Sequence, residues 1–380
     1  MKKYIKRRYD NLEKHIIHGK ITVIYGPRQI GKTTLVDNYL DGLKNRQIYR
    51  TTGEDRTTIE ALSSQSVEKL KDFAGTYDYI FVDEAQAIPG VGLGLKMLID
   101  ALPDKKIIVT GSSSFDLTYK LGEPLTGRQN KLILYPVSLG ELEKTFGRNA
   151  VKGDLADYLT FGMYPEIRAI DGRNNKIRRL DSLVESYLLR DILQIVAVKN
   201  PLAIRRLLTA LAYQIGSLVS LNELASIVQI DVKTVQRYID LLTQSFVIYP
   251  LGGYSRNLRN EMVQKRKYYF YDVGIRNAII GDFNDPMIRG DIGGLFENFV
   301  VMERAKYRAY GELFYANDFF WRNDVGQEID LVEDHDGVLH GLEIKWNPNA
   351  KFKTPTIFTE NYPNSTIDLI TRDNLLKFLV

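Results

Sequence analysis

The sequence of 380 residues contains no cysteine, which excludes disulfide bonds, thiolate nucleophiles and cysteine-based zinc sites. Histidine is also scarce, and no metal-ligand spacing is found among His15, His18, His335 and His340. No apolar run approaches the roughly 20 residues of a membrane span. The basic start of the chain lacks the apolar core of a signal peptide. The sequence therefore predicts a cytoplasmic protein without a membrane segment.

Positive and negative charges are nearly balanced. The net charge of +4 is compatible with a nucleic-acid partner but is too small to require one. Hydrophobic residues make up 44% of the chain, enough apolar surface to build folded cores. A chain of 380 residues exceeds what one core usually organises. We predict three domains, at residues 1–150, 151–285 and 286–380.

Short apolar runs alternate with helical patterns in the first part of the chain. The runs are I-T-V-I-Y at 21–25, Y-I-F-V-D at 79–83, I-I-V-T-G at 107–111 and L-I-L-Y at 132–135. Strands that are apolar at nearly every position are buried on both faces, as in a parallel sheet covered by helices. This pattern predicts an α/β nucleotide-binding core.

A phosphate-binding loop is predicted directly after the first of these strands. The segment G-P-R-Q-I-G-K-T-T at 26–34 fits the pattern G-x-x-x-x-G-K-[ST] and precedes a predicted helix. We expect the Lys32 side chain to reach the β- and γ-phosphates of ATP and the Thr33 hydroxyl to bind Mg²⁺. The predicted nucleotide contacts are Gly26, Pro27, Arg28, Gln29, Ile30, Gly31, Lys32, Thr33 and Thr34.

Two carboxylates, Asp83 and Glu84, stand at the end of the second apolar run. Placing both at the end of a buried strand would be costly without a function. As a Walker B element, Asp83 would hold Mg²⁺ through water, and Glu84 would orient or deprotonate the attacking water. A strand that ends in solvated acids would produce the same residues.

Two further segments contribute candidates to the same site. Thr110, Ser112 and Ser113 lie in T-G-S-S-S at 110–114 and compete for a contact to the γ-phosphate, and we place Ser112 in the predicted site. Turn formation is the alternative role for these residues. Arg128 is a candidate arginine finger, acting in cis or from a neighbouring subunit of a homo-oligomer. A role as an ordinary surface arginine remains open.

The segment at 220–242 predicts a helix, a short turn and a second helix, with Ser220 and Asp231 as N-caps. Apolar alternation further along the chain would add a β-wing and complete a winged helix. Residues of the second helix that would face a DNA major groove are Lys233, Thr234, Gln236, Arg237 and Tyr238. Packing between domains is the alternative role for this unit.

A hairpin is predicted at 326–346, with its turn at D-H-D-G, residues 334–337. The predicted register places Asp330 opposite Gly341 and Glu328 opposite Glu343. Asp330, Glu343 and Lys345 then project from one face of the sheet.

This face carries two carboxylates and a lysine in the order of the PD-(D/E)XK nuclease signature, which it resembles. By that resemblance, Asp330 and Glu343 would bind Mg²⁺ and Glu297 from the preceding helix would complete the set of ligands. Lys345 would stabilise the attacking hydroxide or the developing phosphorane charge. Alternating charges on a solvated sheet face would give the same pattern.

The chain as a whole resembles the prokaryotic AAA+-like ATPases of the archaeal-ATPase type, which carry a C-terminal restriction-endonuclease-like domain. Beyond the loop and the V-D-E-A-Q string, the resemblance is carried by Y-P-V-S-L-G-E-L at 135–142, Y-L-L-R-D-I at 187–192 and Y-F-Y-D-V-G-I at 269–275. It implies a Mg²⁺-dependent ATPase with a winged-helix middle domain. We therefore expect an ATP-driven switch or motor that controls a DNA-directed, nuclease-like C-terminal domain. The alternative is a signalling or scaffold ATPase that binds protein partners and cleaves nothing.

Overall fold

The computed structural model describes residues 4–112, 125–185, 200–255, 266–311 and 316–379. The chain divides into two compact units, which we call the N-terminal and the C-terminal unit. The N-terminal unit comprises Lys6–Pro136 and Gln244–Phe246, and the C-terminal unit comprises Met1–Ile5, Val137–Thr243 and Val247–Val380. In the described part of the chain, no helix is long and apolar enough to cross a membrane.

The N-terminal unit is built on a five-stranded sheet in the order β2-β3-β4-β1-β5. Its strands are β1 Ile21–Gly26, β2 Ile48–Thr52, β3 Tyr79–Asp83, β4 Lys106–Ser112 and β5 Gln129–Ile133. Every strand pair in it is parallel, so the predicted parallel sheet is confirmed. The apolar pattern missed β2, because this edge strand, I-Y-R-T-T, is only half-buried and has no continuous apolar run.

Helices α1 Lys32–Asp41, α2 Arg56–Leu62, α3 Val67–Ala74 and α4 Val91–Ala101 accompany this sheet, with 3-10 turns at Leu12–His15 and Ala85–Ala87. Side chains of Asp55 and Ser66 cap α2 and α3 by accepting backbone N–H bonds. Apolar residues of the strands and of α4, such as Val82 and Leu95, are fully buried in one core cluster. Burial of this kind fixes the strand ends that carry the polar residues.

The C-terminal unit contains twelve of the described helices, numbered here in chain order. They are α5 Leu139–Phe146, α6 Arg148–Gly153, α7 Leu155–Phe161, α8 Pro165–Ala169, α9 Arg173–Leu183, α10 Pro201–Tyr213, α11 Leu221–Val228, α12 Val232–Gln244, α13 Val273–Ile280, α14 Ile292–Tyr310, α15 Thr356–Asn361 and α16 Leu376–Leu379. A 3-10 turn at Pro286–Ile288 precedes α14, and the last residue of α12 belongs to the N-terminal unit.

A mixed seven-stranded sheet organises the C-terminal unit in the order β12-β11-β10-β9-β7-β8-β6. The strands are β6 Leu218–Val219, β7 Ile248–Gly253, β8 Arg266–Phe270, β9 Asn317–Arg322, β10 Glu328–His335, β11 Val338–Lys345 and β12 Thr366–Thr371. Since β7 pairs with β9, one sheet runs through the predicted middle and C-terminal domains. The three predicted domain boundaries stay a prediction.

Helices α11 and α12 lie where the sequence predicts two helices joined by a short turn. The Asp231 carboxylate accepts the Thr234 backbone N–H at 2.9 Å, whereas Ser220 makes no side-chain cap bond. Lys233 and Arg237 are exposed, and Thr234 and Gln236 are half-buried. Tyr238 is only 4% exposed, so its predicted place on the outer face of α12 is wrong. Its ring belongs to the apolar stripe that holds the helix in place.

The predicted register of the β10–β11 hairpin is wrong by two residues. Leu331 lies opposite Leu342 and His335 opposite Val338, so the turn consists of Asp336 and Gly337 alone. Both turn residues have positive φ angles, 53° and 78°, as a type I′ turn requires. Continued by one residue, this register sets Asp330 opposite Glu343. A register shift of two residues does not move any side chain to the other face of the sheet. Asp330, Glu343 and Lys345 therefore still share one face, as predicted.

Candidate functional site

The loop between β1 and α1 follows a path that glycine makes possible. Gly31 directly before α1 has a φ angle of 88°, in the left-handed region. At Gly26 a Cβ atom would lie 2.0 Å from the carbonyl oxygen of Leu134. Any side chain at Gly26 would therefore push the loop away from the segment that directly follows β5. Pro27 and Ile30 are also buried, Arg28 is half-buried, and Gln29, Thr33 and Thr34 are exposed.

Lys32 lies folded into this loop and is only 4% exposed. Its Nζ atom donates to the carbonyl oxygens of Gly26 at 3.0 Å and Pro27 at 2.8 Å. Burial lowers the pKa of Lys32 to about 8, although the charges of Glu84 and Asp83 oppose that shift. A cation held by loop carbonyls is placed to meet an anion that binds to the loop.

Thr33 and Asp83 come together at the carboxyl edge of the sheet. The Thr33 hydroxyl donates to Asp83 Oδ2 at 2.9 Å, which brings two oxygen ligands from α1 and β3 side by side. Oxygen atoms of this kind are the ligands that Mg²⁺ prefers, so the donor set fits the metal expected with ATP. The sheet thus brings together two residues that are 50 positions apart in the chain.

Thr110 on β4 holds the acidic pair in place from the neighbouring strand. Its hydroxyl donates to Asp83 Oδ1 and accepts the Glu84 backbone N–H at 3.1 Å. Of the three candidates in T-G-S-S-S, Thr110 therefore contacts the Asp83 carboxylate and the Glu84 backbone. The backbone of Ser112 lies beside Gly26 in the strand register, while its side chain and all of Ser113 lie outside the described structure.

Glu84 has a left-handed backbone, with a φ angle of 49°, between β3 and the 3-10 turn. Its carboxylate accepts a hydrogen bond from the Gln86 amide, a partner that the sequence did not single out. The Glu84 carbonyl packs so closely on Gly53 that a Cβ atom there would lie 2.3 Å away. Strain at a non-glycine residue often marks a functional position, because the surroundings must hold it in place.

Arg7 supports the loop from behind and carried no signal in the sequence. Its guanidinium donates to the Ile30 carbonyl at 2.7 Å and to the Tyr135 carbonyl at 2.6 Å. These two bonds tie the phosphate loop to the segment that follows β5. Arg7 stands in a basic run, K-R-R-Y, that resembles a solvated surface segment, and only the fold buries it.

Arg128 lies at the opposite edge of the sheet from the loop. Its carbonyl accepts the backbone N–H of Ile21, the first residue of β1, whereas the loop begins at the last residue of that strand. Strand rise alone puts roughly 16 Å between the two ends. The Arg128 side chain forms an ion pair with Asp100. This position does not favour a role in cis, and the roles in cis and from a neighbouring subunit both stay predictions.

A second cluster of charged residues lies in the C-terminal unit, on the face of the β10–β11 hairpin. Lys345 Nζ lies 2.6 Å from Glu343 Oε1 and 3.5 Å from Asp330 Oδ2. Lys267 on β8 enters the same cluster, with Nζ 3.0 Å from Glu297 Oε1 and 2.5 Å from Glu328 Oε1. The sequence did not predict Lys267, because β8 is distant from the hairpin in the chain and is separated from β10 in the sheet order by β9 and β7. Only the tertiary structure brings the Lys267 side chain to these carboxylates.

Two carboxylates of this cluster, Glu297 and Glu343, have strongly raised pKa values. Burial and the nearby Asp330 charge raise the pKa of Glu297 to about 7 and that of Glu343 to about 7. Burial alone would lower the pKa of Lys267, but the surrounding carboxylates raise it. Among the described residues, no three or more histidine or acidic side chains are arranged to hold a metal ion. The roles of Asp330, Glu343 and Glu297 as metal ligands and of Lys345 in catalysis stay predictions.

Comparison with known protein families identifies the N-terminal part. Residues 18–143, which span the phosphate loop and the acidic pair, match the family described as AAA domain. This part of the chain is therefore similar to AAA-type domains. Such a domain implies nucleotide binding, typically with Mg²⁺. Residues 152–285 and 292–375 match two families described as domains of unknown function, DUF8612 and DUF4143.

Relatives that match most of this chain occur in bacteria and archaea. An uncharacterized protein of Mycobacterium tuberculosis is 29% identical over 94% of this chain and 76% of its own length. An uncharacterized protein of Methanocaldococcus jannaschii is 25% identical over 85% of this chain and 76% of its own length. A solved structure, "Structure of Drosophila ORC bound to DNA", matches with 14% identity and a TM-score of 0.24 over 72% of this chain and 94% of that chain. A score this low supports no conclusion about this chain.

The lowered pKa of Lys32 predicts that ATP binding takes up a proton in alkaline solution. Bound phosphates favour the charged ammonium, so the pKa of Lys32 should rise from about 8 in the free protein. Uptake should approach about 0.9 proton at pH 9 and about 0.1 at pH 7. Calorimetry of ATP binding in two buffers with different ionisation enthalpies measures it. Lys32→Arg is the control, because a guanidinium stays charged. Equal binding enthalpies in both buffers at pH 9 would contradict the prediction.

Proposed function

We propose that this protein is a Mg²⁺-dependent ATPase whose nucleotide state switches a DNA-directed C-terminal unit. The observation that carries the first part is the hydrogen bond between Thr33 and Asp83 next to the folded-in Lys32. It joins the start of α1, the end of β3 and the phosphate loop at one edge of a parallel sheet. This edge is where open α/β sheets bind their ligands.

Each residue of the site has a defined task in hydrolysis. Lys32 would exchange its loop carbonyls for the β- and γ-phosphate oxygens, and the loop N–H groups would surround the same phosphates. Thr33 and Asp83 would hold Mg²⁺, which supplies neutralising charge to the phosphates when bound. Glu84 would orient the attacking water and take its proton. Thr110 would keep the Asp83 carboxylate and the Glu84 backbone in position.

The arrangement around α11 and α12 supports a DNA-directed role of the C-terminal unit. The strands that flank them pair in the order β6-β8-β7, and α10 precedes them, which is the order of elements in a winged helix. Lys233 and Arg237 project into solvent from α12. Recognition helices contact DNA with residues in this part of the helix, and cations also neutralise its phosphates.

A scaffold that binds protein partners without cleavage is the second candidate. The observation that favours it is Lys267, whose side chain is 1% exposed and neutralises carboxylates that a nuclease would use for metal. DNA affinity separates the two candidates, because phosphate contacts weaken steeply with salt.

A double charge reversal on α12 tests the DNA-directed switch. Wild-type protein should bind a labelled duplex, with an affinity that falls as salt rises and that differs between ADP and a slowly hydrolysed ATP analogue. Lys233→Glu with Arg237→Glu should weaken binding at least about 100-fold, since two phosphate-facing cations become anions. Fluorescence anisotropy at several salt concentrations measures each value.

The matched control is Lys144→Glu with Lys152→Glu, the same change of charge at two exposed positions on α5 and α6. This variant should bind within a few-fold of the wild type. If both double variants lose DNA affinity equally, the loss is explained by the change in net charge and not by a contact of α12 with DNA. Absence of detectable affinity for wild-type protein at low salt would favour the scaffold.

A further inference from the structure

Four carboxylates converge on one place in the C-terminal unit, from two elements of the sheet and one helix. Glu328 and Asp330 come from β10, Glu343 from β11 and Glu297 from α14. Lys267 Nζ lies 3.0 Å from Glu297 Oε1, 2.5 Å from Glu328 Oε1 and 3.7 Å from Asp330 Oδ1. The ammonium therefore stands among the oxygens that a divalent cation would need.

The lysine is built into the sheet. Its strand β8 pairs on both sides, with Lys267 opposite Leu218 of β6 and opposite Leu251 of β7. Two residues along the same strand, and hence on the same face, the Tyr269 hydroxyl donates to Glu297 Oε1 at 2.7 Å. The Lys267 side chain is 1% exposed, whereas that of Lys345 is 43% exposed. The Lys267 backbone cannot withdraw without breaking two strand ladders.

Mg²⁺ does not fit this arrangement. It requires oxygen ligands at about 2.0–2.1 Å in octahedral geometry, and the nearest carboxylate oxygens already contact an ammonium. A divalent ion bound to these carboxylates would also lie close to the buried Lys267 ammonium, and the two positive charges would repel each other strongly. Within the described ranges, no set of three or more acidic or histidine side chains is arranged to hold a metal ion.

We propose that the ammonium of Lys267 is an internal cation that takes the place of a divalent metal in the nuclease-like face of the C-terminal unit. The wild-type face then holds no Mg²⁺ or Mn²⁺, and its carboxylates serve as partners of the lysine. Two ammonium groups, on Lys267 and Lys345, face the four carboxylates. Without the Lys267 charge, Lys345 is the one ammonium that faces the four carboxylates. A divalent cation can supply the missing positive charge.

Binding of Mn²⁺ to nucleotide-free protein tests this inference without ATP or DNA, so its outcome is independent of the proposed ATPase. Lys267→Met keeps an unbranched side chain of similar length and removes the charge. This variant should bind Mn²⁺ at least about tenfold more tightly than wild type, as seen by calorimetry and by the loss of the free Mn²⁺ resonance signal. Addition of Asp330→Asn to it should abolish the gain.

A loss of stability is expected in Lys267→Met, because unpaired buried carboxylates remain. Its melting temperature should fall on the order of 10 °C, and Mn²⁺ should restore part of that loss. If the variant does not fold, wild type and Asp330→Asn decide the question. Equal Mn²⁺ binding by these two proteins supports the inference.

Three outcomes would overturn it. One is tight Mn²⁺ binding by wild type that disappears in Asp330→Asn. Another is Mn²⁺-dependent cleavage of duplex DNA by wild type that disappears in the same variant. The third is a folded Lys267→Met protein, with unchanged ATP affinity, that gains no Mn²⁺ binding.

Discussion

Replacement of Lys32 by alanine should lower ATP hydrolysis at least about 100-fold, and we expect it to weaken ATP binding as well. Lys32 is the cation folded into the loop, with its Nζ atom 3.0 Å and 2.8 Å from loop carbonyls. Without it, charge that develops on the phosphates in the transition state loses its nearest side-chain partner. Phosphate release and calorimetric titration with Mg²⁺ and ATP measure the two effects.

Lys131→Ala is the matched control, since Lys131 is an exposed lysine on β5 of the same sheet. Its turnover should equal that of wild type. Circular dichroism of both variants distinguishes a lost site from a lost fold. Normal turnover by a folded Lys32→Ala protein would contradict the ATPase assignment.

Replacement of Glu84 by glutamine should separate binding from hydrolysis. The amide keeps the size of the side chain and leaves Thr33, Asp83 and their hydrogen bond in place. It cannot accept the proton of the attacking water, so turnover should fall roughly 10²–10⁴-fold while the affinity for ATP changes little. Single-turnover hydrolysis and equilibrium binding of ATP measure these two quantities separately.

Glu54→Gln supplies the same chemical change at an exposed glutamate that follows β2. It should hydrolyse ATP at the wild-type rate. If Glu84→Gln hydrolyses ATP as fast as Glu54→Gln does, the attacking water is activated by another group. A parallel loss of ATP affinity and turnover would instead point to distortion of the left-handed Glu84 backbone.

The parallel core could be predicted because its information is local. Each of β1, β3 and β4 is a continuous apolar run, and the loop pattern stands directly between a strand and a helix. Even so, the half-buried edge strand β2 was missed, since its residues carry no such run. The support of the loop by Arg7 was also missed, because nothing in the sequence around this basic residue indicates that the fold buries it.

The C-terminal face shows where local patterns are insufficient. Alternation along two strands placed Asp330, Glu343 and Lys345 on one face, and this parity does not depend on the exact turn. The register itself depended on a choice between a four-residue and a two-residue turn, which Asp336 and Gly337 decide by their positive φ angles. Lys267 lies on β8, which pairs with β6 and β7, and only the folded C-terminal unit brings its side chain to the hairpin carboxylates.

The sequence by itself determined the chemistry of the N-terminal loop, the strands that flank it and the face of each hairpin residue, because strand and loop patterns act over a few residues. Only the tertiary structure decided which distant groups meet. In the fold, Thr110 contacts Asp83, Arg128 lies at the end of the sheet opposite the phosphate loop, and Lys267 lies among the hairpin carboxylates. The physical reason is that strand order and burial are properties of the whole fold, and they determine which charges are neighbours and which of them lose water.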